Sequence, residues 1–126
     1  MRILLIEDKP DHVFLARQAV EQVWPEVALH IVRDVEEVIA RYCQPAASLH
    51  FDLILASLAT HESQRLLSLR QMQTHPRLAH TPVIALVSST RDQELAQVAH
   101  HPADWIILKP LKADALREAL RRKPLP

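Results

Sequence analysis

Five short apolar runs, each bounded by polar residues or proline, set the rhythm of the chain: Arg2–Ile6, Val27–Val32, Phe51–Leu58, Val83–Val87 and Trp105–Leu108. Most are continuous rather than alternating, which is the mark of strands buried on both faces of a parallel sheet. Val27–Val32 alternates in part and reads as a strand nearer an edge. Between the runs the period changes. Pro10 and Asp11 suit a helix start, and Val13, Ala16, Val20 and Val23 follow at helical spacing until Trp24-Pro25 closes the segment. Asp34 is a good N-cap with Glu37 three residues on, a capping-box pattern, and Val35, Val38, Ile39 and Tyr42 form one apolar face. After a loop at Pro45–Ser48, weaker stripes occur at Leu66, Leu69 and Met72, which end before Pro76, and between Asp92 and His100. Leu116, Ala119 and Leu120 mark a closing helix that stops before Pro124.

Strands alternating with helices predict an α/β fold with right-handed crossovers and helices on both faces of the sheet. Five such units predict a doubly wound, five-stranded parallel sheet of the flavodoxin-like type, (βα)5, in the order 2-1-3-4-5. The functional crevice then lies at the carboxyl ends of strands one and three. Residues 1–126 read as one domain, since the length suits a single core. At the strand ends stand Glu7 and Asp8, Ser57, Val87 followed by Ser88, Ser89 and Thr90, and Lys109.

Composition narrows the chemistry. The chain has no glycine, which excludes a G-x-G-x-x-G fingerprint and a phosphate-binding P-loop, and leaves turns to nine prolines and to Asp, Ser and His. Fifteen Lys and Arg balance fifteen Asp and Glu, so no charge footprint points to nucleic acid or to an acidic membrane. The basic stretch Arg117–Lys123 suits a helix C-terminus. Cys43 is the one cysteine, which excludes an internal disulfide framework and a multi-cysteine metal site. No apolar run is long enough to span a bilayer, and a cytoplasmic setting is expected. His100-His101 point different ways on a helix and read as exposed rather than as ligands.

With these residues in place, the chain resembles response-regulator receiver domains. Ile3–Asp8 with Pro10-Asp11 resembles their opening, Asp52–Leu55 their third strand, Pro82–Leu86 their fourth, and Lys109-Pro110-Leu111 the exit of their fifth. His75-Pro76-Arg77-Leu78 is similar to stand-alone receivers that partner phytochromes. The resemblance implies a two-component or phosphorelay context. It implies that Glu7 and Asp8 form the acidic pocket that holds magnesium, that Lys109 pairs with a phosphoryl group, and that the bond into Pro110 is cis.

The departures are as informative. Ser57 stands where the family has its phosphoacceptor aspartate, Val87 where it has a switch threonine or serine, and Ile106 where it has a switch aromatic, with Trp105 one place early. A serine could form only a phosphate ester, not a mixed anhydride, and no base for it is evident nearby. His61 reads as a solvated loop residue. Asp52 begins its strand, five residues or ~16 Å from Ser57, and cannot replace the acceptor. Magnesium binding at Glu7 and Asp8 is expected to be weak or absent, with Lys109 folding into the gap to pair with one of those acids.

The expected protein is a pseudo-receiver, not an enzyme, that needs no cofactor. It would act by binding a kinase or effector, or a second copy of itself, through the fourth helix, fifth strand and fifth helix. Trp105 is the candidate anchor there if its ring is exposed, and core if not. The alternative is residual phosphoryl, small-ligand or magnesium binding in the crevice of Glu7, Asp8, Ser57 and Lys109, with conventional switching.

Overall fold

Apolar runs that bury both faces leave little freedom in how this chain pairs. In the computed structural model, which describes residues 1–43, 50–58, 74–76, 78–88 and 103–126, they form one five-stranded parallel sheet. The strands are β1 (Arg2–Ile6), β2 (Ala28–Val32), β3 (Leu53–Leu58), β4 (Val83–Val87) and β5 (Trp105–Leu108). Their spatial order is β2-β1-β3-β4-β5. This is the doubly wound, flavodoxin-like order that the alternation predicts. The Pro45–Ser48 loop, the stripes at residues 66–72 and 92–100, His61, Ser89, Thr90 and His100-His101 lie outside the described residues. The fourth-helix part of the expected partner surface lies there too.

Side-chain alternation assigns each strand residue to one of two cores. Ile3, Leu5, Leu53, Leu55, Ile84, Leu86, Trp105 and Ile107 pack with Ala16, Ala19 and Val20 of α1 (Pro10–Val23) and Leu116 of the closing helix, α3 (Ala113–Arg122). Leu4, Ile6, Ile54, Ala56, Val83, Ala85 and Val87 pack with Val35 and Val38 of α2 (Val35–Tyr42). The same period of two carries the first face onward to residue 7 after β1, 57 in β3 and 109 after β5.

Local signals account for the helix ends. Pro10 occupies the first turn of α1, where its missing N–H costs nothing. The Asp34 carboxylate accepts the Glu37 amide at 2.9 Å. The return bond of the capping box shifts by one residue, for Glu37 Oε2 accepts from the Arg33 amide at 3.0 Å instead of from Asp34. β3 begins at Leu53 rather than at Phe51. Phe51 is buried all the same, edge-on to Tyr42 and His30 with ring centroids 5.0 and 5.4 Å apart. Asp52 is turned to the opposite end of the sheet from Ser57, where its carboxylate accepts the Arg2 amide at 2.8 Å.

Of the two readings open to Trp105, anchor or core, the structure takes the core. The residue is 8% exposed within the core beneath α1 and α3, and Nε1 donates to the Lys123 carbonyl at 3.0 Å. The Lys123 ammonium lies 5.5 Å from the ring centroid and 3.1 Å from Asp104. The odd-numbered side of β5 faces this core, so Trp105 is a packing residue and does not present its ring as a partner anchor.

Candidate functional site: an acid crevice filled by lysine

Register brings the site together. Ile6 pairs with Ala56, so Glu7 and Ser57 leave adjacent strands side by side. The Glu7 amide still donates to Val32 at 2.9 Å, and the Lys109 amide to Val87 at 2.7 Å, so these two residues are each anchored one step beyond their strands, while Ser57 lies within β3. All three fall on the face covered by α1 and α3. The peptide bond between Lys109 and Pro110 is cis. From there the lysine side chain crosses the end of β4 to reach β3 and β1.

Glu7 and Ser57 are each 3% exposed, and they are the buried polar residues among those described. Lys109 Nζ donates to Glu7 Oε1 at 2.6 Å and to Ser57 Oγ, and lies 3.1 Å from His12 Nδ1. An ammonium has three N–H donors and no acceptor, and the three groups around it match that number. The ammonium can only donate, so a hydrogen bond from it to His12 Nδ1 requires the tautomer protonated on Nε2, which lies 3.9 Å from Asp11. His12 Nδ1 is also 3.3 Å from Glu7 Oε1. The second carboxylate oxygen, Glu7 Oε2, accepts the Asp8 amide at 2.9 Å and the Lys9 amide at 3.4 Å.

These contacts decide the charge state. Burial by itself would push the Glu7 carboxyl up. The Lys109 hydrogen bond and charge, the Ser57 hydroxyl and the Lys9 amide outweigh it and lower the group from 4.5 to about 2. Glu7 is therefore a carboxylate at neutral pH, neutralised by Lys109. Asp8 is exposed. Of the two acids open to Lys109 in sequence, it takes the buried one.

As arranged, this set does not fit a magnesium ion. Such a site needs carboxylates with open lone pairs and room for retained waters. Both Glu7 oxygens already serve hydrogen-bond donors, and Ser57 supplies a hydroxyl where a carboxylate would be needed. Among the described residues no group of three or more His, Cys, Asp or Glu could hold a metal.

The side chains of Val87 and Ile106, which the resemblance places at the switch positions, pack away from this cluster. Val87 is fully buried in the core beneath α2, and Ile106 packs against the same core from the far edge. Neither side chain has a group that could hydrogen-bond to the crevice. His12 is the residue that sequence reasoning missed. The available signal was a titratable side chain in the first helical turn after the strand that carries Glu7.

A comparison with curated protein sequences gave no match. Among solved structures the chain is similar to the bacteriophytochrome response regulator RtBRR, with 21% identity over 95% of this chain and 75% of that one and a TM-score of 0.80. It is similar to the bacteriophytochrome response regulator AtBRR, with 22% identity, 98% and 92% coverage and a TM-score of 0.79. It also resembles the phosphorylated cyanobacterial phytochrome response regulator RcpA, with 22% identity, 96% and 89% coverage and a TM-score of 0.71. At these identities the likeness is one of fold. The response regulator receiver domain family matches residues 3–121, nearly the whole chain, and with the parallel 2-1-3-4-5 sheet and the lysine at the exit of β5 it makes this protein a member of that family, the receiver domains of two-component signalling.

Proposed function

We propose that this receiver domain is not phosphorylated on aspartate and gives its output by binding another signalling protein, without catalysis or a cofactor of its own. The observation that carries the reading is Ser57. It occupies the acceptor place on β3, and its hydroxyl is held by the lysine that would otherwise meet the phosphoryl group. Val87 and Ile106 support it, because a buried valine and an isoleucine have no hydroxyl or phenol to move toward the crevice. With Trp105 in the core, the exposed apolar side chains worth testing for partner contact are Phe14 and Leu15 on α1. They are 58% and 41% exposed, and Leu15 lines a groove of about 310 Å³ shared with Pro110–Asp114. A kinase, an effector or a second copy of the chain would fit such a role.

The test is a titration with magnesium and beryllofluoride, which mimics a phosphoryl group on a carboxylate. Backbone amide resonances of Ser57, Val87 and Lys109 are expected to stay in place. Saturable shifts at those three positions would overturn the reading in favour of a crevice that still binds a phosphoryl group and switches.

A further inference from the structure

The mismatch between this crevice and a metal ion has a specific cause. Three acceptors from three separate elements converge on one ammonium: Glu7 Oε1 at the end of β1, Ser57 Oγ in β3 and His12 Nδ1 in α1. One buried carboxylate meets one ammonium, so the pair is neutral without any further ion. Ser57 contributes to this balance by accepting a hydrogen bond while adding no second negative charge.

We propose that the Lys109 ammonium is the resident cation of the acid crevice, and that His12 is a positioning residue that holds it there and keeps divalent cations out. The inference rests on the reading of the crevice as one that does not transfer phosphate, and extends it to how the crevice stays closed. A divalent ion would need the Glu7 oxygen that Lys109 occupies. It would also have to approach within a few ångströms of a buried positive charge, where repulsion is screened far less than in water. Only displacement of the lysine would open the place. His12 opposes that displacement, because it takes the one N–H that Glu7 and Ser57 leave over. Removing its acceptor leaves that donor at a partly buried position with no replacement partner among the described residues, and the ammonium is then freer to swing toward solvent.

Manganese serves as the probe, since its paramagnetism broadens nearby amide resonances. In the intact protein, broadening at Asp8, Lys9 and Ser57 is expected to rise without saturation. His12→Leu keeps bulk but loses the acceptor, and should bind manganese saturably at those amides, at least about tenfold more tightly than the parent. His12→Asn, whose Oδ1 offers an acceptor on the side of Nδ1, should restore exclusion. Lys109→Met should give the largest gain. Should that variant fail to fold, the two His12 variants and the parent decide the matter. Saturable binding to the parent, a His12→Leu variant as silent as the parent, or a His12→Asn variant that behaves like His12→Leu would each overturn the proposal. Manganese binding without beryllofluoride shifts would overturn this inference alone, whereas beryllofluoride shifts at Val87 and Lys109 would overturn the functional reading on which it rests.

Discussion

Glu7 and Lys109 are 102 residues apart in the chain and 2.6 Å apart in space, with side chains 2% and 11% exposed. A buried pair of this kind contributes little beyond what an apolar pair of similar size would, yet it is costly to break on one side. Lys109→Met is therefore expected to destabilise the protein by about 3–5 kcal/mol in urea unfolding, because Glu7 keeps its burial and loses its counter-charge. Glu7→Gln combined with Lys109→Met should recover most of that loss. The pair also sets an acid limit. The Glu7 carboxyl lies lower in the folded protein than in the unfolded chain, so its contribution to stability is present above about pH 4.5 and is lost as pH falls toward 2. In urea midpoints measured across that window, Glu7→Gln should remove this part of the acid slope.

At the scale of the elements, two contacts fasten helices to the sheet in ways that mutation can read. Asp34→Ala removes the carboxylate that caps α2 and should cost about 1 kcal/mol with no change in the fold. Trp105→Ala is a harsher change. It empties part of the core beneath α1 and α3 and frees the Lys123 carbonyl, and about 3–5 kcal/mol of lost stability is expected. A loss of partner binding in that variant would report unfolding and not a contact surface. By contrast the exposed pairs of Glu118 with Arg121 and Arg122 on α3 are i,i+3 and i,i+4 surface bridges that contribute little. The strand bounds were readable from sequence because a strand buried on both faces must be apolar throughout, and β1, β4 and β5 coincide with their apolar runs. Phe51 misled the start of β3, since a residue buried against Tyr42 and His30 looks like a strand residue even when it precedes the strand.

For the molecule as a whole, acceptor chemistry and switching are separable. Ser57→Asp places a carboxylate where Lys109 already reaches, so a small phosphodonor is expected to label that variant and not the parent. The amide shifts that accompany labelling should stay near Glu7, residue 57 and Lys109. They should not spread through β4 and β5, because Val87 and Ile106 pack as plain apolar residues in the core beneath α2. Shifts along the whole of β5 would show that coupling survives without the hydroxyl and the aromatic ring. Among the described residues no helix is long and apolar enough to cross a membrane, in keeping with a sheet whose apolar surface is spent on two internal cores.

By itself the sequence determined the parallel sheet, its order, and the three positions that meet at its carboxyl edge. Continuous apolar runs, capping residues and proline are local signals, and a period of two carries each strand's facing one residue beyond its end. It also showed what the edge lacks, since a serine is legible as a serine wherever it falls. Only the tertiary structure decided how the remaining groups share their charges. Lys109 could have met either acid, and it meets Glu7 because the register of β1 with β3 buries that carboxylate beside Ser57 while Asp8 points outward into solvent-exposed surroundings. His12 enters the cluster because α1 starts directly above that edge, and Trp105 leaves the surface because the odd side of β5 faces the core. Those outcomes depend on distances between residues far apart in the chain, which no local pattern encodes.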